Sequence, residues 1–272
     1  MALRPDNRFT TSGSAWTNPL GTTGGLPSQV QTAALDAGLR AYMLRVYNWM
    51  ASGLLLTAIV AYAVAASPGL QAMFWEVGRT ASGARAVSPT ILGWVAMLSP
   101  IAFVLVLSFG INRLSKTSAQ ALFWAFAAVM GLSLSNVFLR YTGASIASTF
   151  FVTAGMFAAV SLWGYTTGRD LTKMGSFLMM GLIGIILAGL VNMFLGSPAL
   201  HFAISVIGVV VFVGLTAYDT QRIKSDYVEY AYAEGSDEAG KRSVFDALGL
   251  YLNFVNLFQI LLQFMGVRTQ SE

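Results

Sequence analysis

Seven long apolar stretches, separated by polar segments, run through the chain between residues 46 and 266. A helix needs roughly 20 consecutive apolar residues to cross the hydrocarbon core of a bilayer. Strands of a membrane barrel are shorter and alternate apolar with polar residues, which these stretches do not. The pattern therefore predicts an all-α membrane protein, a bundle of seven transmembrane helices. The predicted spans are 46–66, 90–109, 119–138, 146–166, 174–195, 199–219 and 244–266.

The segments outside the spans define the predicted regions of the chain. Residues 1–38 are rich in Gly, Ser and Thr and contain no apolar core of a signal peptide, so we expect a disordered cytoplasmic tail. Residues 39–267 form the predicted transmembrane domain, and residues 268–272 form a short C-terminal tail. Only residues 196–198 separate the fifth and sixth spans, which predicts a tight hairpin.

Composition and charge agree with a membrane protein. Hydrophobic residues make up 56% of the chain and charged residues 10%, whereas soluble domains carry about 25% charged residues. The net charge is +4, but the cations flank apolar stretches, so the lipid bilayer and not nucleic acid is the expected partner. Cytoplasmic loops carry the excess of Lys and Arg. Only four of the 16 cations fall on one side of the predicted membrane, and these are Arg79, Arg85, Arg140 and Arg268. The other side is therefore expected to be cytoplasmic, which predicts a cytoplasmic N-terminus and an external C-terminus.

The seventh span carries an unusual stripe of polar side chains. At about 100° per residue these side chains share one arc of the helix, and Asp246 lies on the edge of the arc. Polar groups are costly against lipid, so we expect the seventh helix to lie in the centre of the bundle. The stripe then either forms hydrogen bonds between helices or lines a narrow permeation path. Its members are Asn253, Asn256, Gln259 and Gln263.

Asp219, at the end of the sixth span, is the second polar feature. It is either an interfacial carboxylate paired with Arg222 or a titratable gate that contacts a neighbouring helix. Arg113 follows the second span on the same side of the membrane. It is either a partner of Asp219 or a cation that only sets the topology.

Patterns typical of enzymes, metal sites and retinal receptors do not occur in the sequence. The chain has no cysteine and a single histidine, His201. It contains no HExxH, Gly-x-Ser-x-Gly or Walker motif, and no two aspartates lie in the middle of different spans. We therefore expect no enzymatic activity, no metal site and no cofactor. The seventh span also lacks the lysine that a retinal receptor needs for its Schiff base.

Two motifs carry a resemblance to a known family. Residues 214–221 read GLTAYDTQ and residues 250–258 read LYLNFVNLF. Together with GLSLS at 131–135 and GYTT at 164–167, they resemble the Bax inhibitor-1 family, in its bacterial branch. The resemblance covers residues 40–267. It implies a seven-helix bundle with a central seventh helix, in the cell membrane, and in the inner membrane of a Gram-negative bacterium.

The resemblance also implies a pH-sensitive calcium leak. In bacterial members a carboxylate pair links the sixth and seventh helices and gates the path. Asp219 matches the partner on the sixth helix, whereas the position on the seventh helix holds an amide, Asn253. An aspartate facing an amide cannot share a proton as two carboxylates do. Asp246 lies two turns away on the same face, where it either substitutes for the missing carboxylate or is solvated by the charged loop.

The sequence leaves two functions open. The first is a calcium leak gated at Asp219, with Asn253, Asn256 and Asp246 along the path. The second is a membrane-embedded modulator of a quality-control protease or stress-response partner, without transport, since some bacterial members of the family act in this way. Residues 1–38 would be the contact for such a protease.

Overall fold

The computed structural model describes residues 28–79, 85–110, 114–230 and 236–269. Six helices among these residues are long and apolar enough to cross a membrane. Each contains one of the predicted spans, which confirms a multi-pass membrane protein. They are α1 (Ser28–Ala66), α4 (Lys116–Arg140), α5 (Gly143–Thr166), α6 (Thr172–Leu195), α7 (Pro198–Tyr230) and α8 (Ser236–Met265).

The remaining predicted span, 90–109, corresponds to α3 (Ile91–Gly110), which has Pro100 inside the helix. The apolar part of α3 within the described residues, Ile91–Val106, is shorter than those of the six long helices. Among the described residues the length criterion is therefore met six times, and α3 lies at the position of the remaining predicted span.

A small β-hairpin interrupts the helical architecture, so the prediction of an all-α fold was wrong in this segment. A short helix, α2 (Pro68–Phe74), leads into β1 (Trp75–Arg79), which pairs in antiparallel register with β2 (Arg85–Pro89). The buried Trp75 indole donates a 2.7 Å hydrogen bond to Ser135 Oγ of α4. This bond fixes the hairpin to α4, because an indole N–H buried without an acceptor would be unfavourable.

Several helices begin or end outside the predicted boundaries. Because α1 begins at Ser28, residues 28–38 are helical and not part of a disordered tail. Residues 28–37 contain no Gly or Pro and several good helix formers, which explains the extension. Residues 1–27 lie outside the described residues. The predicted C-terminal tail is also ordered at its start, because the backbone of Arg268 pairs with that of Tyr141.

The core lies where α8 meets its neighbours. α8 packs against α1, α4, α5 and α7, and its Tyr251 is fully buried with its hydroxyl 2.7 Å from Thr57 Oγ1. Gly164 lets α5 approach α7 so closely that a Cβ there would lie 2.4 Å from the Ala217 carbonyl oxygen. α6 packs mainly on α7, to which a tight turn with Gly196 at φ 59° joins it, as predicted.

Candidate functional site

The site forms where the C-terminal half of α7 meets the middle of α8. Asp219 of α7 points at α8, and its side chain is 13% exposed. Its neighbours on either side along the helix, Thr216 and Thr220, donate their hydroxyl hydrogens to the carbonyl oxygens four residues earlier. Both hydroxyls thus donate within α7, whereas the carboxylate of Asp219 reaches across to α8.

Asn253 is the partner that α8 supplies. Its Nδ2 donates a 2.7 Å hydrogen bond to Asp219 Oδ2, and Asn253 itself is buried. The second carboxylate oxygen, Oδ1, lies 3.3 Å from Arg222 Nη2, on a side chain that is 42% exposed. A mostly buried carboxylate requires such partners, because an ion without them would be strongly destabilised in a low-dielectric interior. Asp219 thus pairs with Arg222 and also contacts a neighbouring helix.

The other residues of the predicted polar stripe are less buried than Asn253. Asn256 and Gln259 are half-buried, and Gln263 is exposed, although it accepts a 3.2 Å hydrogen bond from Ser205 Oγ of α7. Gln263 is thus exposed but hydrogen-bonded to a neighbouring helix. This residue lies in the last turn of α8, where fewer neighbouring helices remain to cover it.

Asp246 occupies a different contact from Asp219. Its Oδ2 accepts a 2.6 Å hydrogen bond from the hydroxyl of Tyr42, a buried residue of α1 whose ring stacks against Tyr227 at 5.0 Å between centroids. Seven residues separate Asp246 from Asn253 along α8, which is about 10 Å at 1.5 Å per residue. The structure thus brings Asp246 to α1, whereas the Asn253 position faces Asp219.

Arg113, the predicted alternative partner of Asp219, lies outside the described residues. The cation that the structure places at Asp219 is Arg222, one turn further along α7. His201 is exposed at the start of α7. Within the part of the chain that the structure describes, no three His, Asp or Glu side chains are grouped to hold a metal ion.

A polar chain beside Asp219 was not predicted from the sequence. The Ser161 hydroxyl of α5 lies 2.5 Å from the Tyr47 hydroxyl of α1 and 2.8 Å from Thr220 Oγ1 of α7. These contacts tie three helices together next to the carboxylate. Serine and threonine are common in apolar spans, so nothing in the sequence marks these three as partners.

The last residue of the GLTAYDTQ motif fixes the turn before α6. Gln221 accepts a 2.8 Å hydrogen bond from the Leu171 amide and donates one of 2.7 Å to the Arg169 carbonyl oxygen. In the same turn the Asp170 carboxylate accepts hydrogen bonds from Thr172, which hold the pKa of Asp170 below its usual value. The motif therefore positions Asp219 and at the same time anchors α6 to α7.

Comparison with known proteins places these features in one family. Residues 39–270 match the family model described as "Inhibitor of apoptosis-promoting Bax1". The chain is 47% identical to the inner membrane protein YbhL of Escherichia coli K12 over 232 residues, which are 85% of this chain and 94% of that protein. It is 46% identical to an uncharacterized protein of Caulobacter vibrioides over 243 residues, 89% of this chain and 94% of the relative.

A less similar relative also matches over most of the chain. An uncharacterized membrane protein of Streptococcus pyogenes is 30% identical over 231 residues, 85% of this chain and 94% of its own length. The family match covers α1 from residue 39, the other five long helices and both motifs that frame Asp219 and Asn253. The chain is therefore a multi-pass membrane protein that belongs to the Bax inhibitor-1 family.

Proposed function

We propose that the protein is a cation leak, with calcium as its ion, and that the contact between Asp219 and Asn253 is its gate. The observation that supports this proposal is the 2.7 Å hydrogen bond that joins α7 to α8 through a mostly buried carboxylate. Intramembrane carboxylates that face the bundle interior are typical of ion and proton paths.

The proposal includes a topology in which α3 is also a span, which gives seven crossings. The N-terminus is then cytoplasmic and the C-terminus external, as the distribution of Lys and Arg indicates. The contacts of α8 with four other long helices support a central position for it. In this arrangement Asp219 lies near the cytoplasmic mouth of a path that runs along α8.

The chemistry of the contact suits passage of a cation more than storage. Calcium takes oxygen ligands, usually six to eight of them. Asp219 offers carboxylate oxygens, and Asn253 and Asn256 offer amide oxygens, a set too small for tight binding. An arriving cation would compete with the Asn253 amide and the Arg222 guanidinium for the same carboxylate. Separation of Asp219 from Asn253 would open the path, and protonation of Asp219 would change the strength of the contact.

The test is calcium flux into liposomes that contain the purified protein and a trapped calcium dye, at pH 6 and pH 8. Asp219→Asn should change the flux and remove its pH dependence. Asp170→Asn is the matched control, because it makes the same chemical change on an exposed loop outside the spans. Flux that Asp219→Asn leaves unaltered would refute the gate.

The absence of flux above empty liposomes at both pH values would refute the leak. In that outcome the second function, modulation of a membrane-bound quality-control protease, would be tested next by removal of residues 1–27 and co-purification of the protease.

A further inference from the structure

A long apolar groove lies between α1 and α5. It has a volume of about 1110 Å³, and side chains of α4 and α8, among them Leu134 and Phe254, contribute to its lining. On α1 it extends from Arg40 to Ala61, about 30 Å at 1.5 Å per residue, which equals the thickness of the hydrocarbon core. Pockets for drug-sized molecules measure roughly 300–1,000 Å³, so this groove can hold a larger, elongated apolar molecule.

One end of the groove is polar and positively charged. Arg40 lines this end and is exposed, and among the described residues no carboxylate pairs with it. Tyr165 of α5 lines the same groove, and the Lys224 ammonium lies 5.0 Å from the centre of its ring. Tyrosine and basic side chains at a membrane boundary lie at the depth of lipid headgroups. The charge at this end is therefore complementary to a phosphate.

A contact between α1 and α5, about 10 Å along α1 from Arg40, decides between two kinds of occupant. The Tyr47 hydroxyl of α1 lies 2.5 Å from the Ser161 hydroxyl of α5. A transmembrane helix is about 10–12 Å across with its side chains and cannot enter between α1 and α5 at this point. An acyl chain is much thinner and can follow the lining.

We propose that this groove binds one phospholipid, with its phosphate on Arg40 and its acyl chains along the apolar walls between α1 and α5. Acyl chains gain little hydrophobic free energy by moving from the bilayer into an apolar groove, since lipid tails are equally apolar. Selectivity therefore comes from the pairing of Arg40 with the phosphate and from dispersion contacts with the walls. Neither Asp219 nor Asn253 lines this groove.

The experiment is native mass spectrometry of the full chain in detergent, titrated with dioleoyl phosphatidylglycerol. We expect one bound lipid per chain. Ala158→Trp should abolish binding, because Ala158 is exposed within the groove and a tryptophan there fills the space for an acyl chain. The matched control is Ile186→Trp on α6, which is 55% exposed but does not line the groove.

Arg40→Gln tests the phosphate contact without changing the packing of the groove. It should weaken binding of phosphatidylglycerol about fivefold, the effect of one basic residue at a lipid surface. It should leave binding of dioleoylglycerol, which has the same chains and no phosphate, unchanged. Equal retention in Ala158→Trp and Ile186→Trp, no retention by the native chain, or equal loss of both lipids in Arg40→Gln would overturn the proposal. A dimer that Ala158→Trp dissociates would instead identify a second copy as the occupant.

Discussion

Asn253 Nδ2 lies 2.7 Å from Asp219 Oδ2, and this hydrogen bond joins α8 to α7 with a single carboxylate at the contact. The other oxygen of that carboxylate faces Arg222 at 3.3 Å. The contact is therefore asymmetric, with an uncharged amide on the buried side and an exposed guanidinium on the other. Any pH response that arises here in the native chain belongs to one carboxylate and not to a pair.

Asn253→Asp should convert the contact into a carboxylate pair. Two carboxylates at this distance cannot both ionise easily, so they share a proton and titrate as a coupled pair. We expect the calcium flux of this variant to depend more steeply on pH than that of the native chain. The measurement is flux into dye-loaded liposomes at closely spaced pH values between 5 and 8.

Asn136→Asp on α4 is the matched control for this change. It makes the same substitution at a half-buried position, where the Asn136 amide donates to the Ser133 carbonyl oxygen of its own helix. It should not steepen the pH profile, because Asn136 is not part of the proposed ion path. Identical profiles for the native chain and Asn253→Asp would contradict the assignment of the gate to this contact.

The sequence predicted the contact between Asp219 and Asn253 but not the partner of Asp246. Asp219 and Asn253 each lie in a long motif, and the family resemblance pairs their positions. Tyr42, which donates to Asp246, is 204 residues away and precedes the predicted start of the first span. Nothing in the sequence around Tyr42 indicates that its hydroxyl has a partner on the seventh span. The contact follows only from the packing of α1 against α8.

The β-hairpin was also not predicted, because tertiary contacts hold it in place. β1 reads WEVGR and β2 reads RAVSP, and neither has a clean alternation of apolar and polar residues. The hairpin is held by tertiary contacts, in which Trp75 donates to Ser135 and Arg140 donates to the Val87 carbonyl oxygen at 2.9 Å. Long apolar stretches predict the spans because the bilayer requires them, whereas a short segment between spans is under no comparable constraint.

Tyr42→Phe should destabilise the bundle. The substitution removes the donor of a 2.6 Å hydrogen bond and leaves the half-buried Asp246 carboxylate without that partner. Loss of one partner of a buried polar group costs about 1–3 kcal/mol. The free energy of unfolding, measured by tryptophan fluorescence in mixed micelles with increasing SDS, should fall by this amount.

Tyr62→Phe removes a hydroxyl from the same helix at a position that is 63% exposed, and it should have little effect. The double variant Tyr42→Phe with Asp246→Asn completes a mutant cycle with the two single variants. A coupling energy near zero between Tyr42 and Asp246 would contradict the importance of this bond.

Thr172→Val should raise the pKa of Asp170 toward its usual value. The hydroxyl and the backbone amide of Thr172 both lower the pKa of this carboxyl, and valine retains only the amide. A depressed pKa in the folded state contributes stability above the usual pKa, and this contribution is lost as the pH falls through the folded value. The ¹³C chemical shift of the Asp170 carboxyl in labelled protein, titrated from pH 6 to pH 2, measures the change. Thr166→Val, whose hydroxyl bonds only to carbonyl oxygens of its own helix, should leave the titration unchanged.

Gly164→Ala should loosen the packing of α5 on α7. A Cβ at residue 164 would lie 2.4 Å from the Ala217 carbonyl oxygen and 2.9 Å from its Cα. These are backbone atoms, so no side chain can rotate away and the helices must separate. Added volume in a tightly packed interior costs about 1–3 kcal/mol.

Gly184→Ala is the matched control, since a Cβ at residue 184 of α6 meets no atom within 4 Å. Unfolding in SDS should show a loss of stability for Gly164→Ala and no loss for Gly184→Ala, because alanine is the better helix former. Gly164 faces Ala217, two residues before Asp219, so separation of the helices should also shift the carboxylate away from Asn253 and change the flux. Equal stability of the two variants would mean that α5 and α7 do not approach as closely as the structure shows.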